Sequence, residues 1–253
     1  LQTRSNLPEI GRNTVECNPM RKSERHIASE KTTETDGASL RRDERGLALV
    51  GGGMELRGDF SQLLPRIRKG RLSSELLVRA AKVRGCAEPW AIDATAGLGE
   101  DSFLLAAAGF RVSMYESDPT IAALVRDALA RASEDPALAD IVCRMKLFEE
   151  DSIEAMAHLR DTPDVIYLDP MFPERRKSAA VKKKFQLIHH LEAPCQNEEA
   201  LLTAAISAAP RKVVVKRPAK GPHLAGVKPS HSLAGKAVRY DVIIPASIKV
   251  PLA

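Results

Sequence analysis

The chain has 253 residues, 44% hydrophobic and 28% charged, a composition that suits one large α/β domain with or without a small annex and excludes wholesale disorder. Its net charge of +5 is unevenly spread: residues 170–253 carry 15 Lys and Arg against 5 Asp and Glu, and residues 1–169 carry 23 against 28, so the C-terminal part is expected to face a polyanion. No run approaches the roughly 18 apolar residues that cross a bilayer, and the first 45 residues lack the apolar block of a signal peptide, so a cytoplasmic protein without membrane contact is expected.

Residues 1–44 are polar and aperiodic and read as a loose arm or partial N-terminal subdomain. Residues 45–85 form the next unit. There, Gly46–Val50 and Met54–Phe60 flank Gly51-Gly52-Gly53 as two strands of a hairpin, and Leu72–Val83 follows as a helix, with Ser73 and Ser74 as caps. From residue 86 onward strands and helices alternate. Strands are predicted at Trp90–Asp93, Arg111–Glu116, Met145–Phe148, Val165–Leu168, Lys212–Val215 and Tyr240–Ile244. Helices are predicted near 101–108, 119–131, 153–160 and 198–208. This order predicts a mostly parallel sheet with helices on both faces, whose site gathers at the carboxyl ends of the strands.

Four loops at those ends carry polar groups. After the first parallel strand, Asp93-Ala-Thr95-Ala-Gly97-Leu-Gly99-Glu100-Asp101 offers two glycines for a tight turn and close backbone approach. The third glycine of a dinucleotide fingerprint is replaced by Ser102, and Asp93 stands where such fingerprints have an apolar residue. A carboxylate there suits a cationic ligand better than a pyrophosphate, and its place at a strand end is also compatible with capping the turn. Glu116 ends the next strand, 23 residues on, where an acid accepts both hydroxyl protons of a ribose. Asp151-Ser152 follows the third strand, where Asp151 can accept from an adenine amine or cap a helix. In the fourth loop, Asp169-Pro170-Met171-Phe172-Pro173, two prolines restrict the backbone and so fix the Asp169 carboxylate, the Pro170 carbonyl and the Phe172 ring relative to one another. That set can hold a planar amine, localise its lone pair and stack its base.

These motifs resemble the class I S-adenosylmethionine-dependent N-methyltransferases. More closely, Asp93-Ala-Thr-Ala-Gly-Leu-Gly-Glu-Asp101, Tyr167-Leu-Asp-Pro-Met-Phe-Pro173, Lys177-Ser-Ala-Ala-Val-Lys-Lys183 and Val213-Val-Val-Lys-Arg-Pro218 are similar, in order, to the ribosomal RNA small subunit methyltransferase J family, over about residues 46–245. The resemblance implies a Rossmann-like, seven-stranded sheet, S-adenosylmethionine as cofactor, and methylation of a guanine N2 near the 3′ end of 16S rRNA. It also implies a cofactor site at Glu100, Asp101, Glu116, Ser117, Asp151, Ser152 and Asp169. Glu100 and Ser117 depart from the family, which favours Arg at both places, and the first 45 residues do not resemble its amino-terminal portion.

In this reading Asp169 and the Pro170 carbonyl orient the amine and Phe172 stacks on the base. Asp93, Thr95, Gly97, Gly99, Glu116 and Asp151 hold the cofactor. Arg175, Arg176, Lys177, Lys182, Lys183 and Lys184 follow the amine loop, and Lys216 and Arg217 follow a later strand, so phosphates of the 16S rRNA or small subunit are expected on them. With 4% aromatics, shape and phosphate contacts are expected over base stacking. Cys17, Cys86, Cys143 and Cys195 show neither zinc-ligand spacing nor a disulfide framework, so no metal is expected, and the chain is read as a monomer. Two alternatives stand beside this reading: methyl transfer to DNA, a protein amide or a small amine, and an RNA-binding assembly factor without catalysis.

Overall fold

A computed structural model describes residues 38–170 and 197–247. Its centre is a seven-stranded sheet of β4 (Trp90–Asp93), β5 (Arg111–Tyr115), β6 (Met145–Phe148), β7 (Val165–Leu168), β8 (Lys212–Pro218), β9 (His231–Ala234) and β10 (Val238–Ile243). The order across the sheet is β6-β5-β4-β7-β8-β10-β9. The first five are parallel to one another, and β10 runs antiparallel to both β8 and β9. β4 and β7 are buried along their whole length, as strands covered on both faces must be, and this is why Val165–Leu168 reads as an unbroken apolar run.

Strand order reverses between β4 and β7: the chain proceeds from β4 outward to β5 and β6, then returns to β7 and proceeds the other way. The carboxyl ends of β4 and β7 therefore flank a crevice, the place where ligands enter open α/β sheets. One face of the sheet is covered by α3 (Glu100–Ala107) and by α4 (Pro119–Ser133). The other is covered by α6 (Ser152–Ala157) and α7 (Glu198–Ser207). The preceding α1 (Leu64–Ile67) and α2 (Leu76–Ala81), and a short α5 (Ala139–Val142), complete the helices described. Among the described residues no helix is long and apolar enough to cross a membrane.

The segment before α1 forms a second, three-stranded antiparallel sheet, β1 (Ala38–Asp43), β2 (Gly46–Gly51) and β3 (Met54–Leu56). The hairpin expected from the glycine triplet is β2–β3. β1 falls inside the stretch read as a polar arm, because its outer pairing rests on ions rather than apolar alternation. Arg42 donates to Asp127 at 2.5 Å, and Arg57 holds Asp43 at 2.9 Å. Asp127, buried on α4, also accepts from the Leu47 N–H at 3.0 Å and from Arg131 at 2.8 Å, so one carboxylate joins the small sheet to the large domain. Gly46, at φ +102°, lies where a Cβ would run into Arg131 and Asp127.

Three smaller expectations differ. Ser73 and Ser74 do not cap α2; they lie in a 3-10 turn, Leu72–Ser74, and the helix starts after Glu75. β9 and α5 have no counterpart in the sequence reading, since each is four residues long and β9 is an exposed edge. α6 stops at Ala157, three residues before the predicted end.

Candidate active site at the carboxyl ends of the strands

The turn after β4 is held from three sides. The Ala94 N–H donates to the Tyr167 carbonyl and the Ala96 N–H to the Tyr115 carbonyl, both at 3.1 Å, which hangs the loop between β7 and β5. Gly97 and Gly99 have φ of +50° and +77°, a conformation that costs other residues roughly 1–2 kcal/mol. Gly99 also begins α3, with the ring of Phe60 3.4 Å from where a Cβ would lie. Phe60 in turn stacks on Phe103, centroids 5.3 Å apart.

Asp93 is engaged within the turn itself. It is 1% exposed, accepts the Ser102 hydroxyl at 2.6 Å and the Thr95 N–H at 3.1 Å, and so closes the turn from beneath. Burial pushes its carboxyl up to about 7 in spite of these two donors. Of the two roles the sequence allows it, the described contacts are those of the turn cap. Glu116, at the tip of β5, accepts the Gly97 N–H at 3.0 Å and the Asp118 N–H at 2.8 Å. Burial raises its pKa, and those same N–H groups oppose the rise. Its half-buried carboxylate thus ties the glycine turn to β5.

Asp169 leaves the end of β7 beside this turn. Its N–H donates to the Thr95 hydroxyl at 2.7 Å, across the β4–β7 crevice, and its Oδ2 accepts from Lys216 at 2.7 Å. Lys216 donates equally to Asp101 Oδ2 at 2.8 Å, and the Tyr167 hydroxyl donates to that same oxygen at 2.6 Å. Burial raises the Asp169 pKa while the Lys216 ammonium lowers it. Burial works against the charge on Lys216 too, yet Asp101 and Asp169 together hold its pKa above the ordinary lysine value. The result is a connected group, Thr95, Asp101, Tyr167, Asp169 and Lys216, drawn from β4, α3, β7 and β8. Pro170 is buried next to it.

The other sequence candidates lie further out. Asp151 is exposed and caps α6, accepting the N–H groups of Ile153 and Glu154 at 2.7 and 3.1 Å, with Ser152 as first residue of that helix. Glu100 and Ser117 are exposed at the rim. Phe172, Arg175, Arg176, Lys177, Lys182, Lys183 and Lys184 lie outside the described residues.

Two expected phosphate ligands are otherwise engaged. Lys216 belongs to the carboxylate group just described, and Arg217 is 1% exposed, donating to Glu198 at 3.2 Å and to the Pro222 carbonyl at 3.0 Å. Neighbours on a strand point to opposite faces, so the pair could not serve one surface. Sequence reasoning missed Tyr167 and the true setting of Lys216. The signal was present: Tyr167 and Asp169 are two apart on a strand, and the pairing of Leu168 with Val215 sets Lys216 level with Asp169.

The arrangement offers two kinds of chemistry. Glu116 beside a glycine turn can take paired hydroxyls, and Asp169, with Oδ2 on Lys216, has no partner for Oδ1 among the described residues and can accept from an N–H donor there. Comparison with known proteins identifies the family. Residues 31–245 match the SAM_MT family model, of SAM-dependent methyltransferases. The chain is 42% identical over 238 residues to the ribosomal RNA small subunit methyltransferase J of Pseudomonas fluorescens strain Pf-5, covering 88% of this chain and 92% of that protein. It is 42% identical over 206 residues to the protein of the same name from Neisseria meningitidis serogroup C, covering 80% and 82%. The crystal structure of a SAM-dependent methyltransferase from Neisseria gonorrhoeae superposes with a TM-score of 0.69 at 34% identity, covering 86% of each chain.

Proposed function

The chain belongs to the ribosomal RNA small subunit methyltransferase J family of SAM-dependent methyltransferases, and from that premise we propose that it methylates the exocyclic N2 of a guanine in 16S rRNA. S-adenosylmethionine supplies an electrophilic methyl group on its sulfonium. The residues suit that cofactor. Gly97 and Gly99 leave its turn without a Cβ, Glu116 is placed for ribose hydroxyls, and Asp151 at the α6 cap is the acceptor for an adenine amine. Thr95, Glu100, Asp101, Ser117 and Ser152 complete that rim.

The observation that carries the reading is the Asp169 carboxylate, anchored through its own N–H to Thr95 and through Oδ2 to Lys216. A guanine N2 is a weak nucleophile because its lone pair is delocalised into the ring. An acceptor at Asp169 Oδ1 and a second at the Pro170 carbonyl draw on its two hydrogens, concentrate the lone pair on nitrogen and aim it. Phe172 is the aromatic residue that the sequence supplies for the base. The N–C bond forms as the S–C bond breaks, and the amine gives up one proton, which passes to Asp169 or to water. No covalent enzyme intermediate is needed.

The test is transfer of labelled methyl to small ribosomal subunits from cells lacking this protein, with naked 16S rRNA, DNA and guanosine alongside. N2-methylguanosine in the rRNA, lost in Asp169→Ala with cofactor binding retained, is the expected result. Label in DNA or guanosine in place of rRNA, or full turnover in Asp169→Ala, overturns it.

A further inference from the structure

The cations that sequence reasoning placed on β8 are used inside the protein, so among the described residues a phosphate-binding surface must come from elsewhere. The segment between α1 and α2 supplies one. Arg66 and Glu75 form a two-pronged ion pair, Nε to Oε1 and Nη2 to Oε2, each at 2.9 Å. Between these anchors the chain makes a tight turn, with the Arg71 N–H donating to the Arg68 carbonyl at 2.9 Å and Gly70 at φ +84°. Arg68, Lys69 and Arg71 project from that turn. All three are exposed, and none has a side-chain hydrogen bond or ion pair among the described residues. A carboxylate within the turn would neutralise them; Glu75 instead is spent on Arg66.

The turn sits beside the candidate active site. Phe60, just before α1, touches the Gly99 position at the start of α3, and α2 packs against α3 and β10. On β10, Tyr240 is the register partner of Lys216, the residue that holds Asp169. The Asp101 carboxylate helps to raise the Arg66 pKa, in keeping with the packing of α2 on α3. A polyanion gripped here therefore lies next to the reacting atoms and not on a remote face.

We propose that Arg68, Lys69 and Arg71 form a preorganised clamp for the phosphates of the RNA that carries the target base. The inference rests on the rRNA reading above. Three cations on four consecutive residues, held by the Arg66–Glu75 fork, meet successive phosphates with little ordering cost. They read no sequence: they set the register of the RNA while the base enters the crevice.

The experiment compares wild type with R68Q/K69Q/R71Q and with R68E/K69E/R71E. Each is measured for binding to 16S rRNA across a salt series, for affinity to S-adenosylmethionine, and for kcat and KM on subunits from cells lacking the protein. Three lost phosphate contacts should flatten the slope of log affinity against log salt by about 2 to 3. Between about 50 and 200 mM salt the wild-type affinity should then fall by a factor roughly 20–40 larger than that of the Gln variant. The RNA KM should rise, more in the Glu variant, with cofactor affinity and kcat at saturating RNA unchanged. If wild type methylates rRNA and both variants keep its salt slope and KM, the clamp is wrong and the function stands. If wild type neither binds nor methylates rRNA, the function itself is wrong, and the clamp falls with it.

Discussion

Lys216 Nζ lies 2.7 Å from Asp169 Oδ2, and among the described residues this ion pair leaves Oδ1 as the carboxylate oxygen without a partner. With Asp101 at 2.8 Å on its other side, Lys216 is the cation shared by two neighbouring carboxylates. Removing it leaves Asp101 and Asp169 to repel without a cation between them. Asp169, whose pKa burial already raises and Lys216 lowers, should then rise further. In Lys216→Met the acid limb of the kcat profile should move to higher pH and turnover should fall about 100-fold. Lys216→Arg should restore much of both, because a guanidinium can still meet two carboxylates. A pH–rate profile unchanged in Lys216→Met would show that the pair plays no part in turnover.

Glu116 links the glycine turn to β5 through the Gly97 N–H, and its carboxylate is the acceptor proposed for ribose. Glu116→Ala should weaken S-adenosylmethionine binding by about 10- to 100-fold, the value of one or two charge-assisted hydrogen bonds. Titration calorimetry reads this directly, and kcat at saturating cofactor should change by much less.

Asp93 carries a stability prediction with a definite sign. Its folded pKa of about 7 lies above the ordinary aspartate value of 3.8, so between those values the folded state holds a proton that the unfolded state has released. The corresponding stability is fully present below about pH 4 and is lost as pH rises toward and through about 7. Asp93→Asn keeps the hydrogen bonds to Thr95 and Ser102 possible without the charge. Its contribution should be flat over that window, with a gain over wild type at pH 8 on the order of a few kcal/mol. Urea unfolding of both proteins at pH 5 and pH 8 checks it, and equal pH dependence would refute it.

Asp127 joins the three-stranded sheet to α4. Asp127→Ala leaves Arg42, Arg131 and the Leu47 N–H without their shared acceptor and should cost about 2–4 kcal/mol. Thermal unfolding should show a midpoint lower by roughly 5–10 °C. Limited proteolysis should then cut first within residues 38–58.

Much of the large sheet was legible because parallel strands buried on both faces have sharp ends: Trp90–Asp93 and Val165–Leu168 are buried throughout and end where the pattern ends. β1 was not legible, since Leu40 and Arg42 share a side and the second is held by an ion pair 85 residues away. For the site, the identity of the loops was readable but the partners of each side chain were not. Asp93 reads as a ligand carboxylate until Ser102 is seen to close on it. Lys216 and Arg217 read as one basic patch until strand alternation sends the first to Asp169 and the second to Glu198. The exposed turn at Arg68–Arg71 looks like any surface charge run, because its nearness to Asp101 is set by the packing of α2 and Phe60.

Part of the bed on which α2 rests comes from far along the chain. α2 spans Leu76–Ala81, whereas β9 and β10, against which it packs, span His231–Ile243, and Leu76 fills the space beside Gly235. These partners are separated by about 160 residues, so the loop they close is among the longest in the chain and is entropically late. With β4 to β7 formed, α2 could already pack on α3, but the seats that β8, β9 and β10 give it would be missing. The turn at Arg68–Arg71, tethered to α2 through the Arg66–Glu75 pair, therefore gains its full support only when the β9–β10 hairpin joins the sheet.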